Sequence, residues 1–121
     1  MSLTIEARLE DDIAILQLAG SLTLGPSLVS LRNAAREMLA KPKLLGIILE
    51  VSHITSVDSS GLGELTIVYS SANRHNGLMR LVGVSPNLQK MLQMTHLDGV
   101  LISAETLTSA KKEIKTTKSG S

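Results

Sequence analysis

The feature that most constrains this chain is the run Leu44-Leu45-Gly46-Ile47-Ile48-Leu49-Glu50-Val51, which follows the polar punctuation Lys41-Pro42-Lys43. It is strand-length and almost unbroken in apolar character. A strand with one wet face alternates polar and apolar residues, whereas a run such as this needs cover on both faces. It therefore reads as the central strand of a sheet with helices packed on either side.

The flanking sequence supplies those helices. Residues 3–9 and 13–18 read as two short strands joined by a polar turn at Glu10-Asp11-Asp12, an N-terminal hairpin. Gly20 ends the second of them. Gly25-Pro26 then precedes a helix over Ser27 to Ala40, because proline at the first helical position gives up an N–H that has no partner there anyway. Leu28, Leu31, Ala35 and Met38 share one face of that helix, with Arg32, Arg36 and Glu37 opposite. Leu62, Leu65, Tyr69 and Ala72 repeat the same spacing in a second helix that ends near Asn76-Gly77. Residues 78–84 form the next strand. Ser85-Pro86 starts a third helix with Leu88, Met91, Leu92 and Thr95 on one face, and Gly99 breaks it. A short strand is expected at Val100 to Ile102, followed by a helix capped by Ser103 and carrying Leu107, Ala110 and Ile114. Strands alternating with helices imply right-handed crossovers. The expected fold is α/β: a mostly parallel sheet of four to five strands, an antiparallel N-terminal hairpin and about four helices. With 121 residues it is one domain over 1–114, ending in a basic flexible tail over 115–121.

Composition closes off several functions. Tyr69 is the only aromatic residue, so bases and sugars have no stacking platform. A formal net charge of +1 leaves no footprint for direct contact with nucleic acid. That balance is uneven, because Lys111, Lys112, Lys115 and Lys118 against Glu113 place +3 on the last eleven residues and leave −2 on the rest. There is no cysteine for a disulfide, a thiolate metal site or a nucleophile. No apolar run has membrane-spanning length and the first residues lack the pattern of a signal peptide, so the chain reads as cytoplasmic.

Catalytic patterns are missing as well. Gly61-Leu62-Gly63 opens like a dinucleotide loop, but Thr66 stands where the third glycine belongs. His53, His75 and His96 have no partner at metal-ligand spacing, and the G-x-S-x-G elbow of serine hydrolases is absent. No catalytic residue, metal or cofactor is assigned.

The segment rich in chemistry is Asp58-Ser59-Ser60-Gly61-Leu62-Gly63, between the buried strand and the second helix. Loops beyond the carboxyl ends of strands are where open α/β sheets bind ligands and partners. Helix capping needs one polar side chain, and here three stand in series before two glycines, each of which costs a helix about 1 kcal/mol.

DSSGLG, together with the apolar strand before it, the Gly at the end of the second strand, VGVSP after the fourth and the helix MLQMTHLDGV, resembles the phosphorylation loop and framework of the anti-sigma factor antagonists of the STAS domain family. The resemblance spans residues 3 to about 114. It implies a STAS-type fold and a protein-binding switch. Ser59 is then the phosphoacceptor of an anti-sigma factor that is also a serine kinase and brings its own ATP. Unphosphorylated, the domain binds that factor and frees the sigma factor; phosphorylated, it lets go, and a PPM-type phosphatase resets it. The partner-binding set implied is Thr23, Asp58, Ser59, Ser60, Gly61, Leu62 and Gly63. Within that set Asp58 orients or caps, Ser60 caps, the two glycines admit the kinase backbone, and Leu62 anchors the helix in the core or touches the partner. The chain departs from the family at Gly20-Ser21-Leu22-Thr23, where many phosphorylatable members have an acidic residue in a G-x-L-D pattern at the position of Thr23. That departure leaves open the kinase's identity, and also an alternative: a STAS-type regulatory or scaffold subunit of a signalling or transport complex with no phosphorylation switch.

Overall fold

A computed structural model describes residues 2–119. Five strands and four helices alternate: β1 (Leu3–Glu10), β2 (Ile13–Leu22), α1 (Pro26–Leu39), β3 (Gly46–Val57), α2 (Ser59–Arg74), β4 (Leu78–Val82), α3 (Pro86–Met94), β5 (Ser103–Ala104) and α4 (Leu107–Ser119). They build one sheet of order β1-β2-β3-β4-β5, in which only the β1/β2 hairpin is antiparallel. The hairpin closes through Asp11 and Asp12, both with positive φ, as a two-residue turn that follows the twist of the strands.

The central strand is buried on both sides, as its unbroken run requires. Ile47, Leu49 and Val51 enter the larger core with Leu28, Leu31 and Ala35 of α1, Leu62 and Leu65 of α2, and Leu88 and Leu92 of α3. Ile48 points the other way and joins Ile13, Ile15, Val82, Ala110 and Ile114 under α4. Three helices therefore cover one face of the sheet, and α4 covers part of the other.

Strand β3 runs six residues past the expected Val51, to Val57. Two register shifts against β2 let it bend while staying paired as far as Leu22↔Val57. The bend carries the start of α2 to the carboxyl edge of the sheet.

The C-terminal third differs from expectation in two respects. The last strand lies at Ser103–Ala104 and not at 100–102, because a turn bonded from the Leu97 carbonyl to the N–H groups of Val100 and Leu101 drops Leu101 into the core first. Ser103 is thus a strand residue. The cap of α4 belongs to Thr106 and Ser109, each accepting from the other's backbone N–H at 3.0 Å. In addition, residues 115–119, expected to be tail, are helical. Lys111 and Lys115 reach Asp11 of the hairpin turn at 3.3 and 2.9 Å, and Lys111 also reaches Glu10 at 2.9 Å. The rest of the expected tail, Gly120 and Ser121, lies outside the described residues. Among the described residues no helix is long and apolar enough to cross a membrane.

Candidate functional site

Asp58 organises the segment that follows β3. Its backbone is extended and its side chain caps α2, with Oδ1 accepting from the Gly61 N–H at 2.8 Å. The other oxygen, Oδ2, accepts from the Leu24 N–H at 3.0 Å, across thirty-four residues of chain. One carboxylate thereby pins the loop after β2 to the first turn of α2. These backbone donors, Leu24 first and Gly61 second, hold the Asp58 carboxyl below the usual aspartate range. Thr23 is brought alongside by the same clamp and is half-buried.

With the cap supplied by Asp58, the two serines are free of that duty. Ser59 is the first helical residue, is exposed, and its hydroxyl makes no hydrogen bond to the described chain. Ser60, expected to cap, is half-buried one position further on and does not fill that role. The hydroxyl of Ser59 therefore stands at a helix N-terminus where the first backbone N–H groups and the helix dipole favour negative charge.

The two glycines separate. A Cβ on Gly61 would fall 2.0 Å from the Leu22 carbonyl oxygen and 2.9 Å from its carbon, so the absent side chain lets α2 sit against this chain's own β2. That corrects the expectation that Gly61 makes room for a kinase. A Cβ on Gly63 would meet nothing within 4 Å, and Gly63 is exposed. Leu62 is 4% exposed and packs in the larger core, which resolves its two readings in favour of anchoring. Neither Gly61 nor Leu62 offers surface to a partner.

Two further residues belong to the site. Glu64, 2% exposed, receives the Arg32 guanidinium in a two-point ion pair, Nε to Oε2 at 3.0 Å and Nη2 to Oε1 at 2.7 Å. Arg32, expected opposite the apolar face of α1, is 42% exposed and at the same time locks α1 to α2 five residues beyond Ser59. Leu24, 77% exposed beside the Asp58 clamp, is a large apolar side chain held in solvent. Its position in the short bend between β2 and Pro26 of α1 was the available signal, since connecting segments run over the surface. A groove of about 190 Å³ lies between the end of β3 and the start of α3, lined by Thr55, Ser56, Val57, Ser85 and Asn87 among others.

The sequence model of the STAS domain matches residues 4–114, from the second residue of β1 to the core residue Ile114 of α4. The chain belongs to the STAS domain family. A Thermotoga maritima protein named as an anti-sigma factor antagonist is 28% identical to this STAS domain over 69 residues, which are 57% of this chain and 61% of that protein. Less than two thirds of that relative's length is thus matched. The crystal structure of an anti-sigma factor antagonist from the same organism superposes with a TM-score of 0.82 at 22% identity, covering 92% of this chain and 94% of that one. The anti-sigma factor antagonist SpoIIAA in its unphosphorylated form gives 0.77 at 18% identity, with 93% and 96% covered. SpoIIAA from Bacillus in its phosphorylated form gives 0.70 at 19%, with 92% and 99% covered. These structures share the fold of this chain.

Proposed function

We propose that this STAS domain is an anti-sigma factor antagonist whose affinity for its partner is set by phosphorylation of Ser59. The observation that carries the reading is the unengaged, exposed hydroxyl of Ser59 at the head of α2, left free because Asp58 has taken the cap. The name of the Thermotoga relative and those of the superposing structures support it.

The partner is an anti-sigma factor that acts as a serine kinase and supplies ATP; a PPM-type phosphatase reverses the modification, and both meet the domain in the cytoplasm. The domain itself carries no reaction and holds no cofactor. The partner surface comprises Ser59, Ser60, Gly63 and Thr23, extended by Leu24. Asp58 contributes by holding both loops in place.

The switch follows from charge. A phosphate adds about −1.5 to −2 charges at pH 7, and a helix N-terminus receives them with a gain of roughly 0.3–1 kcal/mol. The domain's own fold therefore tolerates the group. A partner packed against a neutral hydroxyl has to desolvate that charge, which costs several kcal/mol and drives release.

Ser59→Asp tests this. Binding to the anti-sigma factor kinase, measured by calorimetry, is expected to weaken at least tenfold while the melting temperature moves by no more than about 3 °C. Unchanged binding would overturn the switch and favour the regulatory or scaffold alternative, to which the missing carboxylate at Thr23 also points.

A further inference from the structure

We propose that strand β1 pairs antiparallel with β1 of a second copy of this chain, about a two-fold axis at Ala7, joining two sheets into one. Strand β1 is one edge of the sheet, eight residues long, with no proline and no register shift against β2. The opposite edge, β5, is two residues long. Sheet edges of this length are usually broken by proline, bulges or lysine, and β1 has none of these.

The hairpin fixes which backbone groups are free. The register pairs Glu10 with Ile13 across the two-residue turn, and at the other end the Ser21 N–H donates to the Ser2 carbonyl. Even-numbered residues of β1 thus bond inward to β2. The N–H and C=O groups of Leu3, Ile5, Ala7 and Leu9 point outward, in phase for a second strand.

The side chains select the register. Centred on Ala7, an antiparallel β1 pair places Glu6 opposite Arg8 of the second copy, twice, and Ile5 opposite its Leu9, twice, with alanine against alanine at the axis. A slip by one residue sets the apolar face of one strand against the polar face of the other. A slip by two in either direction sets Glu6 against Glu6, or Arg8 against Arg8 with Glu6 against Glu10. Only the Ala7-centred pairing sets both Glu6 and Arg8 against opposite charge. Two exposures agree with it. Leu9 is 47% exposed on the face where Ile5 borders the larger core, and pairing seats each Leu9 beside the other copy's Ile5. Glu6 forms no ion pair among the described residues and is exposed; Arg8, on the same face, is 43% exposed and pairs with Glu10 of its own strand, leaving the rest of its guanidinium open to a second carboxylate. The area involved is small, so the association is concentration-dependent.

Sedimentation equilibrium of the full chain from micromolar concentration to about 1 mM is expected to show a shift toward twice the monomer mass. Arg8→Glu alone and Glu6→Arg alone each abolish the shift, because each faces like charges at the axis. Their equimolar mixture restores it, with one of each variant per dimer, since the wholly acidic pair of positions 6 and 8 in one chain then meets the wholly basic pair in the other. Ala7→Pro, which removes an outward N–H and leaves the hairpin's own bonds, stays monomeric with an unchanged circular-dichroism spectrum. A wild-type chain that is monomeric throughout, or a dimer that persists in Ala7→Pro, or a mixture that does not associate, would overturn the proposal.

Discussion

At the scale of single residues, the first turn of α2 divides labour that its sequence presents as a block. Asp58 holds the loops, Gly61 and Leu62 face the protein, and Ser59 and Gly63 face solvent. The two glycines make the division measurable. Gly61→Ala forces a Cβ into the Leu22 backbone and is expected to cost roughly 1–3 kcal/mol or more, as overpacking does. Gly63→Ala meets open space and is expected to gain up to about 1 kcal/mol through helix propensity. Chemical denaturation of the two variants checks the opposite signs. The Asp58 clamp has a pH signature. A carboxyl held below its unfolded value contributes stability that is fully present above the ordinary aspartate range, near 4, and is lost as pH falls through the depressed folded value. Asp58→Asn is therefore expected to flatten the acid limb of the stability profile below about pH 4, recorded by thermal melts across pH.

Among the elements, α4 is the one whose end depends on distant charge. Its Lys111 and Lys115 lean on Glu10 and Asp11, and both carboxyls lie below their ordinary range: Glu10 through Arg8 first and Lys111 second, Asp11 through Lys115 first and Lys111 second. Depressed carboxyls lend their support above the ordinary carboxylate range and withdraw it on acidification. These contacts are also partly exposed, so salt screens them. Hydrogen exchange of the amides from Lys115 onward is expected to accelerate in 1 M salt, and in Asp11→Asn, while those around Ala110 and Ile114 in the core hold.

The same helix marks what could be read from the sequence. The central strand, the hairpin, α1 and α2 were legible because burial on two faces leaves an unbroken apolar run and burial on one leaves a helical period. The end of α4 was not, since it is anchored by Asp11, 104 residues away from Lys115, and by the Asn76 carbonyl, which accepts from Lys118, and no local pattern records either. Likewise Val100-Leu101-Ile102 read as a strand by composition, but only Leu101 is buried and the chain pairs two residues later. The Asp58–Ser59 segment was legible as a candidate site from its polar series and its place after the buried strand. Its internal roles needed the Leu24 and Leu22 backbones, which come from the end of another strand and the loop after it. The Arg32–Glu64 pair was not legible, because its two halves sit in different helices and the period of neither helix records the other.

Over the whole molecule, the near-neutral charge conceals an acidic body and a basic C-terminal segment, and the fold lays the second onto the first at the hairpin turn. The opposite side of that balance is the exposed head of α2, at the carboxyl edge of the sheet. One phosphate there would roughly double the −2 of residues 1–110, at a helix start suited to receive it. The proposed switch thus depends on which hydroxyl carries the group. Peptide mass spectrometry after incubating the full chain with the anti-sigma factor kinase and ATP tests it most directly. A single phosphate on Ser59, lost entirely in Ser59→Ala, is the expected result; phosphate confined to Ser60 or another residue, or none at all, would contradict it.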